Sequence, residues 1–307
     1  MKINFHHQAR KSIFRSDALR LINKIDIILS AFHNFQTWLY NHRMRSRLEQ
    51  LRWLLPAVTG LLLLLWLAET PPGLLGKADA IGYAVCHRIA SHSFFMDERQ
   101  FPLCARCTGM YLGALLGLVY SFRKGRQAGF PPRRILAVLG IFVLGFGVDG
   151  VNSYLNLLRD IPFLYTSTNW LRLLTGTMFG IGVGIYLASA FKQAVWREFE
   201  SRSALGNLRQ LGILVLLGGV IDLAVLSGNP LLLYPLALLA APTAVVLILT
   251  LAYTMLWVVV FKVDNTFVSW RALWFSVVSG FSSALMQVIV IDLIRMALTG
   301  TWAGFSL

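Results

Sequence analysis

Charge is scarce in this chain, and negative charge scarcest: 14 Asp and Glu stand against 28 Lys and Arg, and charged residues make up only 14% of 307 positions. Ordinary soluble domains carry about a quarter charged residues, so an ordinary water-soluble globule is excluded. The net charge of +14 invites nucleic acid as a partner, yet nothing resembles a nucleic-acid module, and the aromatic residues fall in apolar runs rather than between basic ones. No nucleic-acid partner is expected. An early apolar run is also missing. The first long one opens near Trp53, so no secretory signal peptide is expected. Cysteine is rare too, with three in all. What the chain has in abundance is apolar side chains, at 56% of residues, for a mean hydropathy of +0.63. The fold class expected is all-α: a polytopic bundle in a prokaryotic cytoplasmic membrane.

About 20 mainly apolar residues are needed for a helix to cross the hydrocarbon core. Seven segments qualify, roughly 53–68, 104–122, 135–157, 170–191, 208–227, 236–261 and 272–295, the sixth interrupted before its start by Pro230 and Pro235. Basic residues mark alternate loops: Arg123, Lys124, Arg126, Arg133 and Arg134 after the second span, Lys192, Arg197, Arg202 and Arg209 after the fourth, Lys262 and Arg271 after the sixth. By the positive-inside rule the N-terminus is inside and the C-terminus outside. Residues 1–50 form a basic arm in which Leu21, Ile22, Ile25, Ile28, Leu29, Phe32 and Phe35 recur at helical spacing. That is the pattern of an amphipathic helix lying against anionic lipid headgroups. Residues 51–307 form the membrane domain.

Three spans carry aspartates near their outer ends, Asp149, Asp222 and Asp292. An ionisable group inside a span costs several kcal/mol and is a functional candidate by default, at roughly that magnitude. Asn152 follows Asp149, and Asn169, Arg172, Thr175 and Gly176 share about one face of the fourth span. In the bland alternative Asp149 pairs with Arg172, and Asp292 with Arg295.

All three cysteines sit in the first outer loop and its junction with the second span: Cys86-His87, then Cys104-Ala105-Arg106-Cys107. Three readings follow. Cys86, Cys104 and Cys107 could bind a zinc or similar transition metal ion, with His87, His92 or a membrane carboxylate at the fourth position. Cys104 and Cys107 could instead be a redox dithiol with Cys86 as exchange partner. A structural disulfide is the third, and the odd cysteine count fits it poorly.

Cys86-His87, Ser93-Phe94, the string Pro102-Leu103-Cys104-Ala105-Arg106-Cys107-Thr108-Gly109, Asp149-Gly150, and Asn169, Arg172, Thr175 and Gly176 carry a likeness to a known family. Over about residues 80–190 the chain resembles an uncharacterised family of prokaryotic integral membrane proteins, domain of unknown function number two thousand and eighty-five. The resemblance implies a polytopic membrane protein whose signature residues are those just named, and implies no established activity. Asp222 and Asp292 lie outside it.

The expected function is a metal-binding membrane enzyme acting on a lipid-linked or small anionic substrate at the outer leaflet. Cys86, Cys104, Cys107 and His87 would hold the metal. Asp149, His87, Arg106 and Arg172 would carry catalysis, and Asn152, Asn169, Thr175 and Arg88 would bind substrate. The alternatives are a thiol–disulfide oxidoreductase using Cys104, Cys107 and Cys86, and a transporter using the intramembrane aspartates.

Overall fold

The computed structural model describes residues 53–159 and 164–302. The amphipathic helix expected within residues 1–50 lies outside the described residues. The chain divides into a unit ending at Ala57 and one beginning at Val58, and everything that positions the site lies in the second.

Helix α1 spans Trp53–Glu69 and bends by 107° into α2, Gly73–Val85. A hairpin follows, with β1 (Ser93–Met96) antiparallel to β2 (Arg99–Cys104). Strand β2 runs directly into α3, Ala105–Arg123. Strand β3 (Gln127–Gly129), α4 (Arg133–Arg159), α5 (Asn169–Val195) and β4 (Glu200–Ser203) come next. The last helices are α6 (Leu208–Leu226), α7 (Pro230–Leu238), α8 (Val246–Val260) and α9 (Trp270–Thr299), with a π-helical stretch, Leu239–Val245, joining α7 to α8. The chain is an all-α membrane bundle with two small strand pairs added at its ends.

All seven apolar segments are helical, and they differ in how well each suits hydrocarbon. By length and apolarity five helices can cross: α4, α5, α6, the run Pro230–Val260 and α9; the bent pair α1–α2 would make six. Helix α3 falls short because Gly, Ser, Thr and two Arg dilute its apolar residues. It is wrapped by protein, and a helix surrounded by protein needs no lipid-soluble surface. The sixth span also starts earlier than the prolines suggested. Pro230 takes the first helical position, where its missing N–H costs nothing, and Asn229 caps that end by accepting from Leu231 N at 3.0 Å.

Burial runs inside out, as a bilayer requires. On α4, Leu144 is 68% exposed and Asp149 1%. On α6 and α9 the aspartates are likewise buried while Leu216, Leu223, Leu293 and Leu298 face outward. Water would reverse that arrangement; hydrocarbon favours it.

The central contact is between α3 and α5, which run parallel. Gly109, Gly113 and Gly117 lie against backbone of Leu173, Thr177 and Ile181, and Gly176, Gly180 and Gly184 against backbone of Arg106, Met110 and Ala114. A Cβ at any of the six would strike a carbonyl oxygen of the other helix. Small residues at four-residue spacing let two membrane helices meet backbone to backbone.

The loops sort to two ends. At one, β3 pairs parallel with β4, Trp196 bridges Phe267, and Arg126 donates to Val268 O at 2.5 Å, so the three basic loops gather together. At the other, the Cys-His loop meets the start of α5 and residues 299–302.

Replacing Gly180 by Leu should cost about 3 kcal/mol or more through overpacking, lowering the thermal midpoint of detergent-purified protein by about 10 °C. Gly145→Leu, whose Cβ meets nothing within 4 Å, should leave the midpoint within about 2 °C. Equal behaviour of the two variants would contradict the backbone contact.

Candidate functional site

Cys86 ends α2, and Cys104 stands at the junction of β2 and α3. They meet because Gly82 lies flat against the Pro102 carbonyl, where a side chain would hold α2 and β2 apart. Cys104 N then donates to Cys86 Sγ at 3.3 Å, and Arg88 N donates to the same sulfur at 3.5 Å. Arg88 takes a positive φ of 52°. The turn there directs Ile89 N to His87 Nδ1 at 3.3 Å, and Nδ1 lies 4.0 Å from Cys86 Sγ.

The ligating atoms of Cys86, His87 and Cys104 all lie within 4.8 Å of one another. Cys86 and Cys104 are buried, and no cysteine is in a disulfide. Cys107, in the first turn of α3, is not among the three whose ligating atoms converge. The donor set suits a soft or borderline metal ion: two buried sulfurs and an imidazole, with Cys107 adjacent. The thiols of Cys104 and Cys107, donating to Cys86 Sγ, hold that group well below the ordinary thiol range, against the opposing effect of burial.

Beside the sulfurs lies a charged cluster. Arg106 clasps Asp149: its Nη2 donates to Oδ2 at 2.5 Å and to the Asp149 carbonyl at 3.0 Å, and its Nε to Oδ2 at 3.2 Å. The other carboxylate oxygen accepts from Tyr165 OH at 2.9 Å, and Thr175 Oγ1 stands 3.5 Å from Oδ2. Asp149 thus pairs with Arg106 and not with Arg172, which donates to Ser153 Oγ at 3.0 Å and Asn169 Oδ1 at 2.6 Å. Asn152 pins the neighbouring loop, giving a bond to Tyr165 O and taking one from Leu164 N, each at 3.0 Å. Asn169 Nδ2 reaches Ser91 O and Ser93 O at 3.3 Å, tying the Cys-His loop to α5.

His92 joins the two clusters. Its ring meets His87 edge-on at 5.9 Å. Burial, helped by the nearby Arg172, His87 and Arg106, lowers it to about 4, so it stays neutral at ordinary pH.

The structure therefore gathers Cys86, His87 and Cys104 on one side and Arg106, Asp149, Asn152, Asn169, Arg172 and Thr175 on the other. Arg88 turns away from both. Its guanidinium binds Asp79 at 3.0 Å, in a pair that Arg99 shares at 2.6 Å, and reaches Trp302 O at 3.2 Å. Asp222 and Asp292 occupy separate places. Asp222 accepts from Thr177 Oγ1 at 2.6 Å, and Asp292 from Trp66 Nε1 at 3.1 Å. Arg295, expected to pair with Asp292, instead donates to the Tyr83 and Cys86 carbonyls, the latter at 2.7 Å. Two members escaped the sequence reading. Ser153 sits four residues past Asp149 and was accessible through helical spacing. Tyr165 comes from an irregular loop that carries no periodic signal.

Fold and site together define a polytopic membrane protein with a polar, cysteine-bearing centre at one end. Residues 86–186 match a family described as "Predicted membrane protein (DUF2085)", and the match opens on Cys86. The chain is 32% identical over 101 residues to an uncharacterised protein of Methanothermobacter thermautotrophicus, covering 33% of this chain and 82% of that one. It is 29% identical over 122 residues to an uncharacterised protein of Methanocaldococcus jannaschii, covering 39% of this chain and 72% of the other. No solved structure matches. The chain belongs to this family of membrane proteins.

Asp149→Asn strips Arg106 of its carboxylate in a largely buried place. Removing one partner of such a pair costs about 3–5 kcal/mol, so chemical denaturation should show a loss of that order, well beyond that of an exposed Asp97→Asn control. His92 generates a pH effect of definite sign. Its folded value of about 4 lies below the unfolded value near 6.5, so the unfolded chain binds the extra proton between them. Stability should fall as pH drops through that window and level off below it. In chelator-treated protein His92→Gln should flatten the slope of thermal midpoint against pH; an unchanged slope would assign it to other groups.

Proposed function

We propose that this protein is a membrane enzyme with a metal centre held by Cys86, His87 and Cys104, acting on a lipid-linked or small anionic substrate. The observation that carries this reading is the convergence of those three ligating atoms within 4.8 Å of one another, beside two arginines. Cys107 would have to move in to complete the set and close the site; with Cys107 outside, a position is left open for substrate. Bound there, a zinc-like ion supplies Lewis acidity toward a substrate oxygen. Arg172 and Arg106 bind the substrate's negative charge, planar forks suited to phosphate or carboxylate oxygens. Asp149 holds the Arg106 fork in place, and Tyr165 in turn orients Asp149. His92, held neutral by burial beside the arginines, adds no positive charge to the site. With basic loops facing the cytoplasm, the site opens at the outer leaflet.

One observation favours a second reading. Cys86 Sγ accepts from the backbone N–H groups of Cys104 and Arg88 at 3.3 and 3.5 Å, which stabilises the thiolate that an attacking cysteine needs. A thiol–disulfide oxidoreductase would use it. Elemental analysis of purified protein separates the two: the metal reading expects about one zinc-like ion per chain, lost in Cys86→Ser and Cys104→Ser. Metal-free protein with a reducible bond between Cys104 and Cys107 would overturn it in favour of the redox reading.

A further inference from the structure

At the end of the bundle away from the cysteines, the gathered basic loops enclose a cleft of about 610 Å³, lined by Lys124, Gln127, Arg202, Ser203, Asn207 and Gln210. Its two cations lack a carboxylate partner among the described residues, and Lys124 Nζ lies over the Tyr120 ring at 5.4 Å. Among the described residues neither Lys124 nor Arg202 is in an ion pair, whereas Arg126 nearby is tied to the Val268 and Glu198 carbonyls. The space is of the size that holds a small-molecule headgroup.

Phe130 also lines this cleft, and its ring packs on Tyr186 at 5.0 Å. Tyr186 opens a second groove, about 370 Å³, which runs between α4 and α5 past Leu139, Val143, Phe179 and Val183. The two spaces therefore adjoin through an aromatic pair of the kind that marks the boundary of headgroup and hydrocarbon. Glycine hollows out the apolar part. A Cβ at Gly140 would meet nothing within 4 Å, and one at Gly182 only Leu139 Cδ2 at 3.6 Å. Unlike the six glycines between α3 and α5, these two are not required by backbone packing. Their effect is empty space on a face turned to lipid.

A basic polar cleft continuous with an apolar groove has the chemistry of one molecule class. We propose that it binds an anionic phospholipid of the leaflet on the basic side, its phosphate between Lys124 and Arg202 and an acyl chain along the groove by Gly140 and Gly182. This site is independent of the cysteine centre and stands or falls without it.

The test is titration of full-length protein in neutral detergent with phosphatidylglycerol and phosphatidylcholine, read by native mass spectrometry. Each cation near a phosphate is worth about fivefold in affinity, so phosphatidylglycerol should bind about 25-fold more tightly than phosphatidylcholine. Lys124→Gln and Arg202→Gln should each weaken it about fivefold, while Arg209→Gln, the same charge change outside the cleft, should not weaken it. Gly140→Leu fills the groove and should weaken phosphatidylglycerol at an unchanged thermal midpoint. Equal binding of the two lipids, or an Arg209→Gln loss equal to that of Arg202→Gln, would overturn the proposal. So would displacement by inorganic phosphate at low millimolar concentration, since that marks a soluble-anion site.

Discussion

The backbone contact between α3 and α5 is the constraint from which the rest follows. Six glycines let two parallel helices approach until only main chain separates them, and between helices in lipid the favourable terms are close packing and hydrogen bonding, since burial of apolar surface gains little there. The register of that contact sets the heights of side chains on both helices. Gly176 lies on the Arg106 carbonyl, so Arg106 and Thr175 stand at one level and both reach Asp149. Arg172, one turn nearer the helix start, reaches Ser153, which is one turn past Asp149 on α4. The polar cluster is thus a ladder of matched levels across three helices.

The same register holds the sulfurs. Cys104 is the residue before α3, so the helix contact that fixes Arg106 also fixes Cys104 and Cys107. What remains free is the approach of Cys86, and that is governed by α2. Gly82 allows the close approach to Pro102, and Arg295 on α9 grips the last carbonyls of α2, with its guanidinium 3.9 Å from the Tyr83 ring. Removing a half-buried arginine that donates to two carbonyls leaves those acceptors unmet, so α9 contributes to the cysteine centre without supplying a ligand.

Much of this was legible in the sequence, for physical reasons that can be named. Apolar length located the long helices, because hydrocarbon accepts little else, but not the short α2 or the start of α7. Polar side chains inside those helices located the site, because they are expensive where they are not used. Pairing was not legible. The bland alternative pairs Asp149 with Arg172, whereas the partner is Arg106, decided by helix register, which composition does not encode. The glycines at 109, 113 and 117 and at 176, 180 and 184 do encode it. Their four-residue spacing on two helices indicates which pair packs and at what level. Arg88 misled for a different reason: a charged residue in a cysteine loop reads as a ligand-binding group until its carboxylate partner, Asp79 in the preceding helix, is seen.

The three aspartates show how far depth alone carries an argument. By position they looked alike, one near the outer end of each of three spans. Asp149 has a guanidinium, a phenol and a hydroxyl converging on it, and both of its oxygens are engaged. Asp222 and Asp292 each receive one donor, and Asp222 Oδ2 and Asp292 Oδ1 have no hydrogen-bond partner among the described residues. A buried oxygen without a donor is a cost that packing alone does not relieve. A carboxylate clasped on both sides is a fixed part of its surroundings, and Asp149 therefore fixes the position of the Arg106 guanidinium. The other two are singly bonded to a threonine and a tryptophan on their own sides of the bundle, so their role is separate from the cysteine centre, even though the sequence sets all three at the same height.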